Sequence, residues 1–172
     1  ARGGGGGAIT NGAGAWLGAG LWNDGGAAAS WTSGDNAIFA GPATNGGAVT
    51  LASATAVGTL TFNPSFTGTY TLGTIGSTLT INNGITKNAG SGLVTIISPI
   101  TLGAAQTWTN NSTNALTVND GTNSVINNAG FNLTFSGTGT FNIARGNGIT
   151  GSGSIIVDGA YLDLRTGGAQ SV

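Results

Sequence analysis

A short phrase recurs down this chain: an aliphatic residue, usually a threonine, a large apolar residue, then a small polar one. It stands as Leu60-Thr61-Phe62-Asn63, Leu79-Thr80-Ile81-Asn82, Leu116-Thr117-Val118-Asn119 and Leu133-Thr134-Phe135-Ser136, with looser copies at Val94-Thr95-Ile96 and Ile155-Ile156-Val157-Asp158. Apolar and polar residues alternating at period two mark a strand with one buried face. From residue 60 to residue 155 the phrase returns at a mean of roughly 19 residues, within the range of solenoid repeats. A strand at that interval, separated by turn residues and free of helical periodicity, constrains the chain to a stack of β coils. Further strands are expected at Ala37-Ile38-Phe39, Tyr70-Thr71-Leu72, Ile100-Thr101-Leu102, Thr107-Trp108-Thr109, Phe141-Asn142-Ile143 and Tyr161-Leu162-Asp163-Leu164, giving two or three short strands per coil. In each phrase the first and third residues should fill the interior and the threonine should face out.

Composition agrees with an all-β chain. Of 172 residues, 34 are Gly and 3 are Pro; Gly and Asn supply the positive-φ positions of tight turns, and Thr suits a pleated surface. The Ala-rich stretch from Gly25 to Ser30 is too short to stand as a helix. With 39% hydrophobic residues, a chain of this length can bury a core as one domain.

Charge excludes several partners. Only 5% of residues are charged, with net charge −1 and no His, against a typical ~25%. Arg2, Lys87, Arg145 and Arg165 are too few and too scattered to follow a phosphate backbone or to hold an anionic membrane. So neutral a surface offers little repulsion against self-association. No Cys is present, so neither a disulfide framework nor a thiol site can form. No apolar run reaches the ~18 residues of a membrane span. Ala1 is not Met, which reads as a mature chain whose leader has been removed, or as a piece of a longer one.

Three zones follow from the pattern. Residues 1–14 read as a Gly-rich flexible or extended arm. Residues 15–47, with Trp16, Trp22 and Trp31, read as an atypical N-terminal cap, because a first coil has one open end and bulky rings can plug it. Residues 48–172 hold the solenoid, roughly six coils at that period. The C-terminus has no comparable plug and ends at Gly167-Gly168-Ala169-Gln170-Ser171-Val172.

Leu21-Trp22-Asn23, Ala29-Ser30-Trp31 and Gly34-Asp35-Asn36-Ala37-Ile38-Phe39 together resemble the opening of passenger regions built from autotransporter-associated β-strand repeats. Val57-Gly58-Thr59-Leu60-Thr61-Phe62 and Gly151-Ser152-Gly153-Ser154-Ile155-Ile156-Val157-Asp158-Gly159 are similar to that family's coil phrases. The resemblance covers most of the chain. It implies a right-handed parallel β-helix exported to a bacterial cell surface or the extracellular space. These 172 residues hold repeats without the family's outer-membrane barrel, which reads as either a fragment of a longer passenger or a short stand-alone subunit.

Catalytic chemistry finds little to work with. Without His or Cys, triads and zinc or copper sites lack their usual groups. Of the carboxylates Asp24, Asp35, Asp120, Asp158 and Asp163, most stand beside Gly or Asn, where Asp serves the backbone of a turn. The one cluster open to polysaccharide chemistry is Asp158, Asp163 and Arg165. Nothing in the sequence sets the gap a carboxylate pair needs. Asn82-Asn83, Asn110-Asn111 and Asn127-Asn128 read as turn makers able to stack into ladders. Asn111-Ser112-Thr113 and Asn132-Leu133-Thr134 match the glycosylation triplet, which arises readily in such a chain. Trp108 reads as core and Lys87 as solvated. Thr-x-Thr pairs such as Thr59/Thr61 and Thr107/Thr109 open a minority reading as an ice-binding array, although their intervals do not keep step with the expected period.

The sequence therefore points to a non-catalytic extracellular structural protein without cofactor or metal, a subunit of a surface stalk or filament. Its expected partner is itself, head to tail, through Arg2, Trp16, Trp22 and Trp31 at one end and Tyr161, Leu162, Leu164 and Val172 at the other. A β-helix that binds or cleaves carbohydrate, with surface glycans as partners, is the alternative.

Overall fold

The computed structural model describes residues 13–24, 27–40, 46–64, 66–118, 126–144 and 148–165. These residues form a parallel β-solenoid of about five turns, with no helix among them. Each full turn passes through three walls. The first wall stacks the opening halves of Thr55–Phe62 and Leu79–Lys87, then Ile100–Leu102, Ile126–Asn127 and Ile149–Thr150. The second stacks Ala37–Phe39, the closing halves of the same two long strands, then Gln106–Asn110, Leu133–Ser136 and Ile155–Asp158. The third stacks Gly14–Ala15, Gly47–Thr50, Thr69–Leu72, Leu93–Ile96, Leu116–Val118, Thr140–Ala144 and Tyr161–Arg165. All these pairings are parallel.

One turn is longer than the phrase spacing implies. On the second wall the register runs Ala37, Leu60, Ile85, Trp108, Phe135, Val157, a mean step of 24 residues in place of roughly 19. The phrase belongs to a wall and not to a turn: Leu60, Leu133 and Ile155 lie on the second wall, Leu79 on the first, Val94 and Leu116 on the third. Averaging across walls shortened the apparent period. Loops absorb the variation between turns, whose lengths on this wall range from 22 to 27 residues.

Within each wall the period-two pattern holds. Leu60, Phe62, Leu79, Ile81, Leu116, Val118, Leu133 and Phe135 are fully buried, while Thr61, Thr80, Thr117 and Thr134 point away from the core and are half-covered by neighbouring turns. Trp108 is core, its indole N–H donating to Gln106 Oε1 at 3.0 Å, and the Gln106 amide in turn donates to the Ile81 carbonyl at 2.7 Å. The long strand Leu79–Lys87 carries one extra residue against Thr55–Phe62 where the first wall becomes the second. Gly84 sits there at φ 106, with the Thr107 carbonyl oxygen occupying the space a Cβ would need. Only glycine tolerates both conditions.

The N-terminal end is filled with rings. Trp22–Asp24 and Ala27–Ala29 form an antiparallel hairpin, the only such strand pair among the described residues. Trp16 lies edge-on to both Trp22 and Trp31 at 5.1 Å, and Phe39 follows at 5.8 Å from Trp16. From Phe39 the aromatic packing continues to Phe62 and Tyr70, each at 5.2 Å. Of the expected N-terminal arm, Gly14 is already a strand residue paired with Val49; residues 1–12 lie outside the described residues.

Asparagine and aspartate act mainly on backbone. Asn128 donates to the Gly153 carbonyl at 2.7 Å and accepts from the Gly130 and Gly153 amides; Asp35 accepts from the Thr32 amide at 3.1 Å. An asparagine pair bridges turns at Asn88 and Asn63, 3.0 Å apart, and not at the doubled asparagines.

Candidate functional site

The most unusual surface is the last described turn. Ile155 and Val157 stand in register with Leu133 and Phe135, and Leu162 and Leu164 with Phe141 and Ile143, so all four occupy interior positions of the stack. Their partners one turn earlier are at most 1% exposed, whereas Ile155, Val157 and Leu164 are 39%, 50% and 40% exposed. Nothing among the described residues stacks on this turn, and its three strands end their sheets. Ile156 and Tyr161, in register with the outward Thr134 and Thr140, add apolar surface beside it. Interior-type residues on strands that end their sheets make a template for another strand layer.

The residues expected at an assembly interface separate into two groups. Tyr161 and Leu164 are exposed at the open end, and Leu162 is half-buried there against the core. At the other end Trp16 and Trp22 turn inward and fill the end of the core, as a plug would, leaving little ring surface exposed. Trp22 donates its indole N–H to the Trp16 carbonyl at 2.7 Å. Trp31 packs on them half-buried, and the indole N–H groups of Trp16 and Trp31 are buried without an acceptor. Packing area outweighs the ~1–3 kcal/mol that each unmet donor costs. Arg2 and Val172 lie outside the described residues.

The two carboxylates of the sequence's charged cluster stand on different walls, and the Arg165 side chain lies outside the described residues. Asp158 closes the second-wall strand and is exposed; Asp163, in register with Asn142 on the third wall, is half-buried, and the corner at Gly159-Ala160 separates them. Among the described residues no group of three or more His, Cys, Asp or Glu comes together.

Lys87 overturns its sequence reading as a solvated side chain. It is fully buried, in register with Phe62 on one side and Asn110 on the other, so the inward column Phe39, Phe62, Lys87, Asn110 changes from aromatic to polar. Its Nζ donates to the Asn114 carbonyl at 2.7 Å and to the Ser91 carbonyl at 3.3 Å. Ser112 Oγ and Asn114 Nδ2 also donate to Ser91, at 2.6 and 3.0 Å, and Asn110 Nδ2 reaches the Asn114 and Thr140 carbonyls. Burial pushes the ammonium down from 10.5 to about 8, because leaving water disfavours the charged form. Alternation places residue 87 on the inner face, and that parity was the signal available in the sequence.

No protein-family model, curated protein or solved structure matches this chain.

Proposed function

We propose that this chain is a non-catalytic structural subunit of an extracellular stalk or filament on a bacterial surface, assembling through the ends of its solenoid. The observation that carries the reading is the last described turn, where Ile155, Val157 and Leu164 hold core positions yet stand 39–50% exposed beside strand edges that pair with nothing described. A second copy supplies what that surface lacks. Its outermost strands Gly14–Ala15 and Ala37–Phe39 end the same two sheets at the opposite side of the stack, so joining end to tail continues both walls in the parallel sense. Such a contact is heterologous and propagates unless the rotation closes it. Export to a bacterial surface rests on the resemblance to autotransporter-associated repeats, and the near absence of charge fits a contact that salt barely screens.

Sedimentation and electron microscopy of the purified chain test the reading. Rods longer than one solenoid, insensitive to salt, are expected. Val157→Lys places an ammonium in the joint and should return monomers with an unchanged β-sheet circular-dichroism spectrum. A monodisperse wild-type monomer at high concentration would overturn assembly.

A further inference from the structure

Parallel register also organises the outside of the second wall. One outward column runs Thr61, Thr86, Thr109, Ser136, each paired with the next. Beside it Thr59 pairs with Gly84, and Thr107 with Thr134, two residues earlier on the same strands. The residues between the columns, Leu60, Ile85, Trp108 and Phe135, are buried, which fixes the hydroxyl residues on the outer face. Four successive turns thus present a grid two residues wide, interrupted only at Gly84, where the bulge excludes a side chain. Its spacings are set by the sheet, about 4.8 Å between turns and about 6.6 Å along a strand. No member of the grid is charged.

The other walls lack this regularity. The first wall's outward column Ala56, Thr80, Thr101, Asn127, Thr150 is mixed and single. On the third wall Thr71, Thr95 and Thr117 align, but Asn142 and Asp163 follow them and the exposed Leu93 stands beside Thr95.

We propose that the second wall binds ice. A single hydroxyl gains nothing against a crystal, because liquid water competes at every position. A rigid two-dimensional grid gains by holding many waters at lattice-like spacings at once, with no ordering cost on contact. Threonine suits such a grid because its branched Cβ restricts the rotamer, the hydroxyl anchors a water, and the methyl shields the gap beside it. Charged groups would keep hydration shells that do not fit a crystal face, and this grid has none. A crystalline polysaccharide is the less favoured occupant, since this wall turns its rings, Trp108 and Phe135, inward and offers no stacking platform. The grid lies on the side of the stack, so ice binding and end-to-end assembly are independent of one another.

The deciding measurements are thermal hysteresis and inhibition of ice recrystallisation by the full chain. The wild type should shape ice crystals and halt their coarsening. Thr107→Lys, at the exposed centre of the grid, should raise the inhibitory concentration by about tenfold or more. Thr95→Lys on the third wall and Thr101→Lys on the first should leave it unchanged, and circular dichroism checks that each variant folds. If Thr107→Lys fails to fold, Thr109→Lys takes its place. A wild type without effect on ice overturns the proposal, as does equal loss from Thr95→Lys. Binding to crystalline cellulose that Thr107→Lys abolishes, with no action on ice, transfers the grid to a polysaccharide and also overturns it.

Discussion

The two ends of this solenoid face the same physical problem and meet it in opposite ways. At the N-terminal end Trp16, Trp22, Trp31 and Phe39 close the core, and the first two rings are withdrawn from water. At the other end Ile155, Val157 and Leu164 occupy equivalent inward positions and remain wet. Each turn of a solenoid can bury its inward residues only against neighbouring turns. A plug satisfies that requirement within the chain, whereas an open turn passes it on to whatever stacks next. The difference teaches that inward position and burial are separate properties: alternation sets the first, and the presence of a next layer sets the second.

The largest effect should come from breaking the plug. Trp16→Ala removes a fully buried indole that touches three other rings, and should cost roughly 3–5 kcal/mol, read as a lowered urea midpoint with unchanged slope. A loss below about 1 kcal/mol would mean that the N-terminal end is as loosely held as the C-terminal one, and the contrast would collapse.

Between the ends, Lys87 reports how dry the middle of the stack is. Its folded value of about 8 lies below the ordinary 10.5, so below pH 8 both states are protonated and the fold carries the cost of a desolvated ammonium. From about 8 to 10.5 the native state releases the proton while the unfolded chain keeps it, so stability should rise with pH across that window. The full rise should be on the order of 3 kcal/mol. Lys87→Met should remove this slope and equal or exceed the wild type at pH 7, since Ser91 and Asn114 carbonyls keep other donors in Ser112, Asn114 and Asn110. Comparing the two proteins isolates the contribution of the lysine. Parallel pH profiles would show that the amine is hydrated and the interior wet.

How much of this was legible in the sequence depends on distance along the chain. Leucine and phenylalanine at alternate positions announce an inward face within four residues, so the strands and the buried set follow from local pattern. The turn length does not, because Leu60 and Leu79 look alike yet lie on different walls, and only pairing across 22 to 27 residues tells them apart. That same ambiguity hid the grid: Thr59/Thr61 stacks on Thr86, Thr107/Thr109 and Thr134 at the true period, whereas at the apparent one it meets Thr78/Thr80 and then falls out of step. The Trp-rich zone was readable as a plug from bulk alone, but that Trp16 and Trp22 are sealed while Trp31 is only half-buried required the third dimension. Lys87 was misjudged because charge was weighed above parity, and the carbonyls that receive its ammonium belong to residues 91 and 114.

The smallest expected effect sharpens the comparison most. Val157 and Phe135 are neighbours in one inward column, a single turn apart, yet one is half in water and the other is sealed. For the isolated chain, Val157→Ala removes atoms that already touch solvent, so the urea midpoint should shift by less than about 0.5 kcal/mol. In an end-to-end assembly the same methyl groups become interior, and their loss should then cost about 1–2 kcal/mol per joint. Measuring the variant at low and at high protein concentration therefore separates the two states of one side chain. A cost that grows with concentration means that another copy supplies the missing layer. A constant cost near zero leaves the last turn open under both conditions, and a constant cost of about 1–2 kcal/mol means that the chain covers Val157 itself and that the two ends are closed alike.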